Sequence, residues 1–240
     1  GAFVPTADGA ALLTASAGSP AVAAQLQQAF EPQIRAGRLK VEDVVASDSD
    51  DPRGAAFNAA VLPLLIAGLL TGLLVTAISR PGLEQVLLLA GGSALAGGAA
   101  TAIGAGWLGV LGDHWPATAG VLSLLVLAVA ATVAGMRGVL GHAGVGLSAL
   151  LFVLVGNPWS GLATAPEMLP RPIGAIGQLL PPGAGGNALR STAFFDGGGV
   201  TPYLVVLAAW TVLGLTLVSV AARRSRAQAP AALEAQGAFA

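Results

Sequence analysis

The side chains equipped for chemistry are few in this chain of 240 residues, and they are scattered. Asp113-His114 sets a carboxylate beside an imidazole, the pair that general acid/base catalysis uses when both groups reach one substrate atom. Adjacent helical positions point apart, however, and the other histidine, His142, falls at the far end of the next apolar stretch, so the pair reads as a hydrated loop. No HExxH or other converging donor set accompanies His142, so a packing or interfacial residue is expected there and not a metal ligand. Gly104-Ala-Gly106-Trp-Leu-Gly109 spells G-x-G-x-x-G, but no strand precedes it and no acid follows about 20 residues on, and both are needed for a dinucleotide site. The single lysine, Lys40, follows Leu39, which excludes a P-loop within the chain. With no cysteine, disulfides, thiolate metal sites and cysteine nucleophiles are also excluded. No catalytic, cofactor-binding or metal-ligating residue is assigned, and the chain is not expected to be an enzyme.

The elements that would position any site are membrane elements. Hydrophobic residues make up 55% of the chain and charged residues 10%, against roughly 25% charged in soluble domains. Mean hydropathy is +0.77. A net charge of −1 offers no basic face for nucleic acid. Charge is also uneven: it is dense in residues 1–53 and sparse from Gly54 to Ala222.

A helix needs about 20 apolar residues to cross a hydrocarbon core of about 30 Å, and five uncharged intervals meet or approach that length. Spans are expected at about 56–79, 84–111, 117–136, 138–156 and 200–222, the fourth stopping at Asn157-Pro158, which disfavours further helix. Their centres carry no ionisable residue, unlike those of most proton pumps and secondary transporters. Asn58, Thr71, Thr76, Ser93 and Thr101 are the polar groups within the early spans, with interhelical or backbone hydrogen bonding as the expected role. Small residues let helices approach closely in lipid, so Gly68-Leu-Leu-Thr-Gly72 and the every-fourth set Ala94, Gly98, Ala102 and Gly106 are expected at helix contacts.

Residues 1–53 read as the C-terminal part of a small α+β domain. The turn signal Ala7-Asp8-Gly9 separates two strands, Ser19 is a good N-cap with Pro20 at the first helical position, and Pro32 must kink or end the helix. A third strand is expected over 39–47, and Ser47–Pro52 reads as a tether. So small a core calls for more chain ahead of Gly1, and a six-helix subunit is the natural completion of five spans. Residues 157–199 hold six prolines between short apolar pieces, each long enough for an interfacial or re-entrant helix whose ends are buried in protein or face a water-filled cavity. Counting positive charge does not orient the chain. The cluster Arg223, Arg224 and Arg226 beside the last span does, placing residues 223–240 as a cytoplasmic tail and the amino-terminal segment outside a plasma membrane. Trp115, Trp159 and Tyr203 then fall near the outer interface.

The run Leu180-Pro181-Pro182-Gly183, with Asn187-Ala-Leu-Arg190-Ser191 and Phe194-Phe195-Asp-Gly ahead of a final span and basic tail, resembles the membrane domain of type 2 ABC exporter permeases. More closely, it is similar to the YhgE/Pip (phage infection protein) branch of high-GC Gram-positive bacteria. The resemblance implies a permease half that forms a homodimer or pseudo-dimer, exports an amphipathic or lipid-like substrate, and binds no cofactor itself, ATP being held by a separate nucleotide-binding subunit. Against the fuller pattern, the sequence has no first helix, no amphipathic coupling segment, and short inner loops around Arg80 and Arg137. The residues expected to matter are Pro170, Pro172, Pro181, Pro182 and Gly183, which shape the outer loop, and Arg190, a contact for an anionic group. The alternative is a non-transporting envelope protein whose extracellular domain binds a partner.

Overall fold

The computed structural model describes the chain except residues 7–8, 48–50, 52–53, 108, 110–113 and 238–240. Part of the 7–9 turn, most of the tether, Leu108 of the glycine motif and Asp113 therefore lie outside the described residues, as does the Asn58 side chain.

Strands β1 (Ala2–Thr6) and β2 (Gly9–Thr14) pair antiparallel, Phe3 facing Leu12, as the turn signal predicts. Ser19 caps α1 (Pro20–Ala29), its Oγ accepting from the Val22 N–H at 3.3 Å. The expected break at Pro32 falls at Phe30, and α2 (Glu31–Arg35) starts afresh with that proline in its first turn, where its missing N–H is harmless. β3 (Leu39–Asp43) then pairs parallel to β2, giving the order β1-β2-β3. It is shorter than the expected 39–47, because beyond Asp43 the chain turns to bond with residues 14–17. The Val44 N–H donates to the Thr14 carbonyl, and Ser47 N–H to Ser16 Oγ.

Five helices are long and apolar enough to cross a membrane: Ala59–Ile78, Leu83–Gly104, Trp115–Leu140, His142–Trp159 and Thr201–Ala227. The first lies in α3 (Ala55–Ile78), whose N-terminus is capped by Asp51: its Oδ1 accepts from Ala55 N–H at 2.7 Å and its Oδ2 from Phe57 N–H at 2.9 Å. The second is α4 (Leu83–Thr101) with a π-helical turn over Ala102–Trp107. The third, α5 (Trp115–Leu140), runs past the expected end at 136, carrying Arg137 in its last turn. There the Arg137 Nη1 donates to the Leu73 carbonyl, so a charge at the helix end does not stop the helix. Gly141, at φ 64, ends it instead, and the fourth span begins at His142 where 138 is expected. That span joins α6 (His142–Ala149), a π-helical stretch over Leu150–Gly156 and α7 (Asn157–Trp159). Asn157-Pro158 does not terminate it, because Pro158 starts a new turn after the π segment. Two further short helices follow, α8 (Ile173–Gln178) and α9 (Pro181–Phe194), before α10 (Thr201–Gly237), which continues well beyond the expected boundary at 222.

Close glycine contacts define how the helices run. A Cβ on Gly68 would meet Val129 and one on Gly72 would meet Ala130 and Val133, so α3 and α5 ascend together. Gly214 against Ala131 and Gly138 against Ala221 set α10 parallel to α5, while Gly97 against Ser123 and Gly106 against Trp115 set α4 antiparallel. The Gly68/Gly72 expectation therefore holds. The other small-residue set holds only at Gly106: Ala94 and Ala102 are exposed and Gly98 faces open space. The face of α4 that meets α5 is one position away, Gln85, Leu89, Ser93, Gly97 and Thr101. Of the polar groups named above, Thr76 and Thr101 bond back to the carbonyls of Leu73 and Gly97, at 2.8 and 2.9 Å.

At the centre is α5, buried from Leu125 through Gly135 almost without interruption and touching α3, α4, α6, α9 and α10. The main core joins Val61, Leu65, Leu122, Leu125, Val129 and Phe152 with Ala184, Ala188 and Leu189 of α9. The sheet sits at the end of the bundle where α3, α5 and α10 begin, tied to the loop after α7 by a 2.5 Å bond from Ser19 Oγ to the Thr164 carbonyl. Trp115, Trp159 and Tyr203 all lie toward that end.

A candidate functional site at the helical hairpin

Residues 179–180 turn α8 into α9, and this hairpin is built from residues that let backbones touch. Pro170 accepts from Ile173 N–H at 2.8 Å and Pro172 from Ile176 N–H at 3.0 Å, so the two prolines shape the entry to α8. Pro181 and Pro182 open α9, where their missing N–H groups break no helical bond. A Cβ on Gly183 would come within 2.2 Å of the Gly177 carbonyl, and one on Gly177 within 1.8 Å of that of Trp159. No side chain fits at either position.

The hairpin descends along the bundle. Trp210 Nε1 donates to the Leu179 carbonyl at its turn at 2.8 Å. Trp210 is nine residues below Thr201, about 13 Å down α10 at 1.5 Å per residue. From there α9 climbs back toward the sheet, buried at almost every position although it contains Asn187, Arg190, Ser191 and Thr192.

Those polar groups form a chain. Gln178 Nε2 donates to the Ser160 carbonyl at 2.9 Å, and its Oε1 accepts from Asn187 Nδ2 at 2.5 Å. Asn187 Nδ2 also donates to the Gly183 carbonyl at 3.1 Å, and Asn187 Oδ1 accepts from Arg190 Nη1 at 3.2 Å. Arg190 Nη2 donates to the Leu162 carbonyl at 3.3 Å, and the guanidinium lies 5.2 Å from the Phe57 ring centroid. Arg190 is only 8% exposed. Burial holds its pKa below the ordinary arginine value, with Tyr203 acting in the opposite direction.

Above this chain is a cavity of about 370 Å³ between the start of α1 and the hairpin, with Gln178, Asn187, Arg190, Tyr203 and Glu167 on one wall and Ser19 and Val22 on the other. A second, of about 300 Å³, adjoins it through Pro166, Glu167 and Gln178 and reaches Arg171. No family model, curated protein or solved structure matches the chain. The site therefore stands on its own geometry.

All six residues expected to matter lie in or at the entry of the hairpin, and Gln178 and Asn187 cross-link its two legs. Gln178, Glu167, Tyr203 and Phe57 were not among them. Glu167 is marked in the sequence as an ionisable residue of the outer loop and Tyr203 as an interfacial ring, but nothing local joins the four, since they come together only when α1, α3 and α10 meet the hairpin. His114, expected in a hydrated loop, is exposed and lies 3.4 Å from Asp196, away from the cavity wall. Among the described residues no group of three or more histidines and carboxylates could hold a metal ion.

Proposed function

We propose that this chain is a membrane-embedded, permease-like subunit of a type 2 ABC exporter that moves an amphipathic or lipid-like substrate outward, with ATP held by a separate nucleotide-binding subunit. In this reading the five apolar helices cross the plasma membrane, α8–α9 is a re-entrant hairpin entering from outside, and the sheet is extracellular. The chain works as a homodimer or pseudo-dimer. The observation that carries the reading is the hairpin itself. Broken helix is tolerated at membrane depth where it is buried in protein or lines a cavity, and α9 does both. A pump with no ionisable group at the centre of its spans needs an external source of energy, which supports a partner ATPase. Arg223, Arg224 and Arg226, exposed on the far end of α10 from the sheet, support a cytoplasmic location for that end.

The test is to purify the full-length parent protein from native membranes in mild detergent and to identify its companions by mass spectrometry. A stoichiometric nucleotide-binding subunit is expected. Its absence, in a preparation that keeps a known ABC pair intact, removes the permease reading. A second reading then leads, an envelope protein whose outer segment binds a partner, favoured by Phe3 and Val4 of β1 and Val44 just beyond β3, which are 54%, 38% and 54% exposed.

A further inference from the structure

We infer that the end of the bundle opposite the sheet is a binding surface for the headgroups of anionic phospholipids, built on a ring of five arginines. The inference is independent of the permease reading and of which side of the membrane this end faces.

Helix contacts place the five arginines at one level. Gly72 meets Ala130 and Val133, so α3 and α5 end together, at Ile78 and Leu140, and Arg80 follows in the turn to α4. Gly138 meets Ala221, which sets Arg223, Arg224 and Arg226 of α10 beside the end of α5. From Arg137 to Arg226 the backbone heights differ by about 9 Å at 1.5 Å per residue. Arg80, Arg223, Arg224 and Arg226 are exposed, and their side chains make no hydrogen bond or ion pair with a described residue. Arg137 spends one of its five N–H donors, at 3.4 Å, on the Leu73 carbonyl, which also accepts from Thr76 Oγ1 at 2.8 Å.

Three observations select the partner. The five arginines against Glu84, the one described carboxylate at this level, leave a net charge of +4, and His142 beside them brings no negative charge. The next acid on α10, Glu234, lies eight residues past Arg226, about 12 Å further along the helix. A zwitterionic headgroup offers a phosphate but carries an ammonium into that positive field, whereas an anionic one brings the phosphate alone. Every cation in the ring is an arginine, whose planar fork matches two phosphate oxygens. The third observation concerns depth. Arg137 reaches the Leu73 carbonyl, five residues or about 7.5 Å inside the end of α3, where a charge is costly unless it is paired. Leu74, Ile78, Leu83 and Leu140 stand exposed around it. An anion that pairs with Arg137 must tolerate this apolar surround, as a headgroup joined to acyl chains does and a water-borne acidic segment does not.

The experiment uses the full-length protein in phosphatidylcholine nanodiscs doped equally with phosphatidylglycerol and phosphatidylethanolamine, the lipids that stay bound on release being counted by native mass spectrometry. Retention of phosphatidylglycerol over phosphatidylethanolamine by about tenfold is expected, since one arginine near an anionic surface is worth about fivefold and several share each headgroup. Arg137→Gln lowers the preference about fivefold. The triple variant Arg223→Gln, Arg224→Gln and Arg226→Gln, at exposed positions, abolishes it while leaving the unfolding temperature unchanged. Arg38→Gln, an exposed arginine of the sheet unit, leaves the preference as it was. Equal retention of the two lipids overturns the inference, and so does a preference that survives the triple variant or falls equally with Arg38→Gln. Loss of a nucleotide-binding companion from the triple variant, with lipid retention intact, assigns the ring to a protein contact and overturns the inference while the permease reading stands. Lipid preference in a preparation without any such companion keeps the surface and removes the permease, so the two failures are separate.

Discussion

Helices α9 and α4 invert the rule of soluble proteins. The first is the more polar, holding an arginine, an asparagine, a serine and a threonine, yet twelve of its fourteen residues are buried. The second is the more apolar, its polar residues being Glu84, Gln85, Ser93 and Thr101, yet it buries five of nineteen, three of them polar, and leaves Leu83, Leu87 and Leu95 at 74%, 62% and 77% exposed. In water this arrangement would waste the hydrophobic driving force. In lipid it is the expected one: apolar surface gains nothing by leaving the acyl chains, whereas polar groups gain by finding each other. What packs α9 is small size and satisfied hydrogen bonds, and what frees α4 is that its solvent is as apolar as itself.

Substitutions sharpen the contrast. Gly183→Val puts a branched side chain onto the Gly177 carbonyl, and loss of about 3 kcal/mol or more is expected, read as lost yield and a lowered unfolding temperature in detergent. Leu95→Arg, at the middle of α4, is expected to cost about 2.5 kcal/mol in a membrane-insertion assay, where a soluble protein would accept a surface arginine freely. Asn187→Leu removes the amide that Gln178 Oε1 and Arg190 Nη1 both bond, and about 2 kcal/mol of stability should disappear in denaturant titration. Ser19→Ala removes both the α1 cap and the tie to Thr164, a loss of about 1 kcal/mol, detectable as faster proteolysis of the first fifty residues. Gly98→Val, facing open space on α4, should change stability by less than about 0.5 kcal/mol.

Much of this was legible in the chain. The five apolar runs set five long helices, because spanning length is a property of composition alone. Ser19-Pro20 and the kink at Pro32 were equally local signals. Boundaries failed where a local rule met a tertiary contact, as at Arg137, whose side chain reaches α3 and lets its helix continue. The small-residue face of α4 failed for a different reason. Gly97 and Gly98 belong to two interleaved every-fourth sets one position apart, and only the neighbour on α5 decides which is packed. Of the site, the prolines, Gly183 and Arg190 could be named because they shape backbone locally or carry charge. The cavity could not, since Ser19, Glu167, Gln178 and Tyr203 are brought together by the tertiary packing of distant segments.

The absence of native cysteine makes every introduced one unique, so the contrast between the two helices can be measured directly. Spin labels at Leu95→Cys and Leu87→Cys on α4, with the full-length protein in liposomes, report collisions with oxygen dissolved in lipid and with a nickel chelate dissolved in water. High oxygen and low nickel accessibility at both sites is the predicted result. Nickel accessibility at Leu95 matching that of a label at the exposed Val44, just beyond β3, would contradict the account.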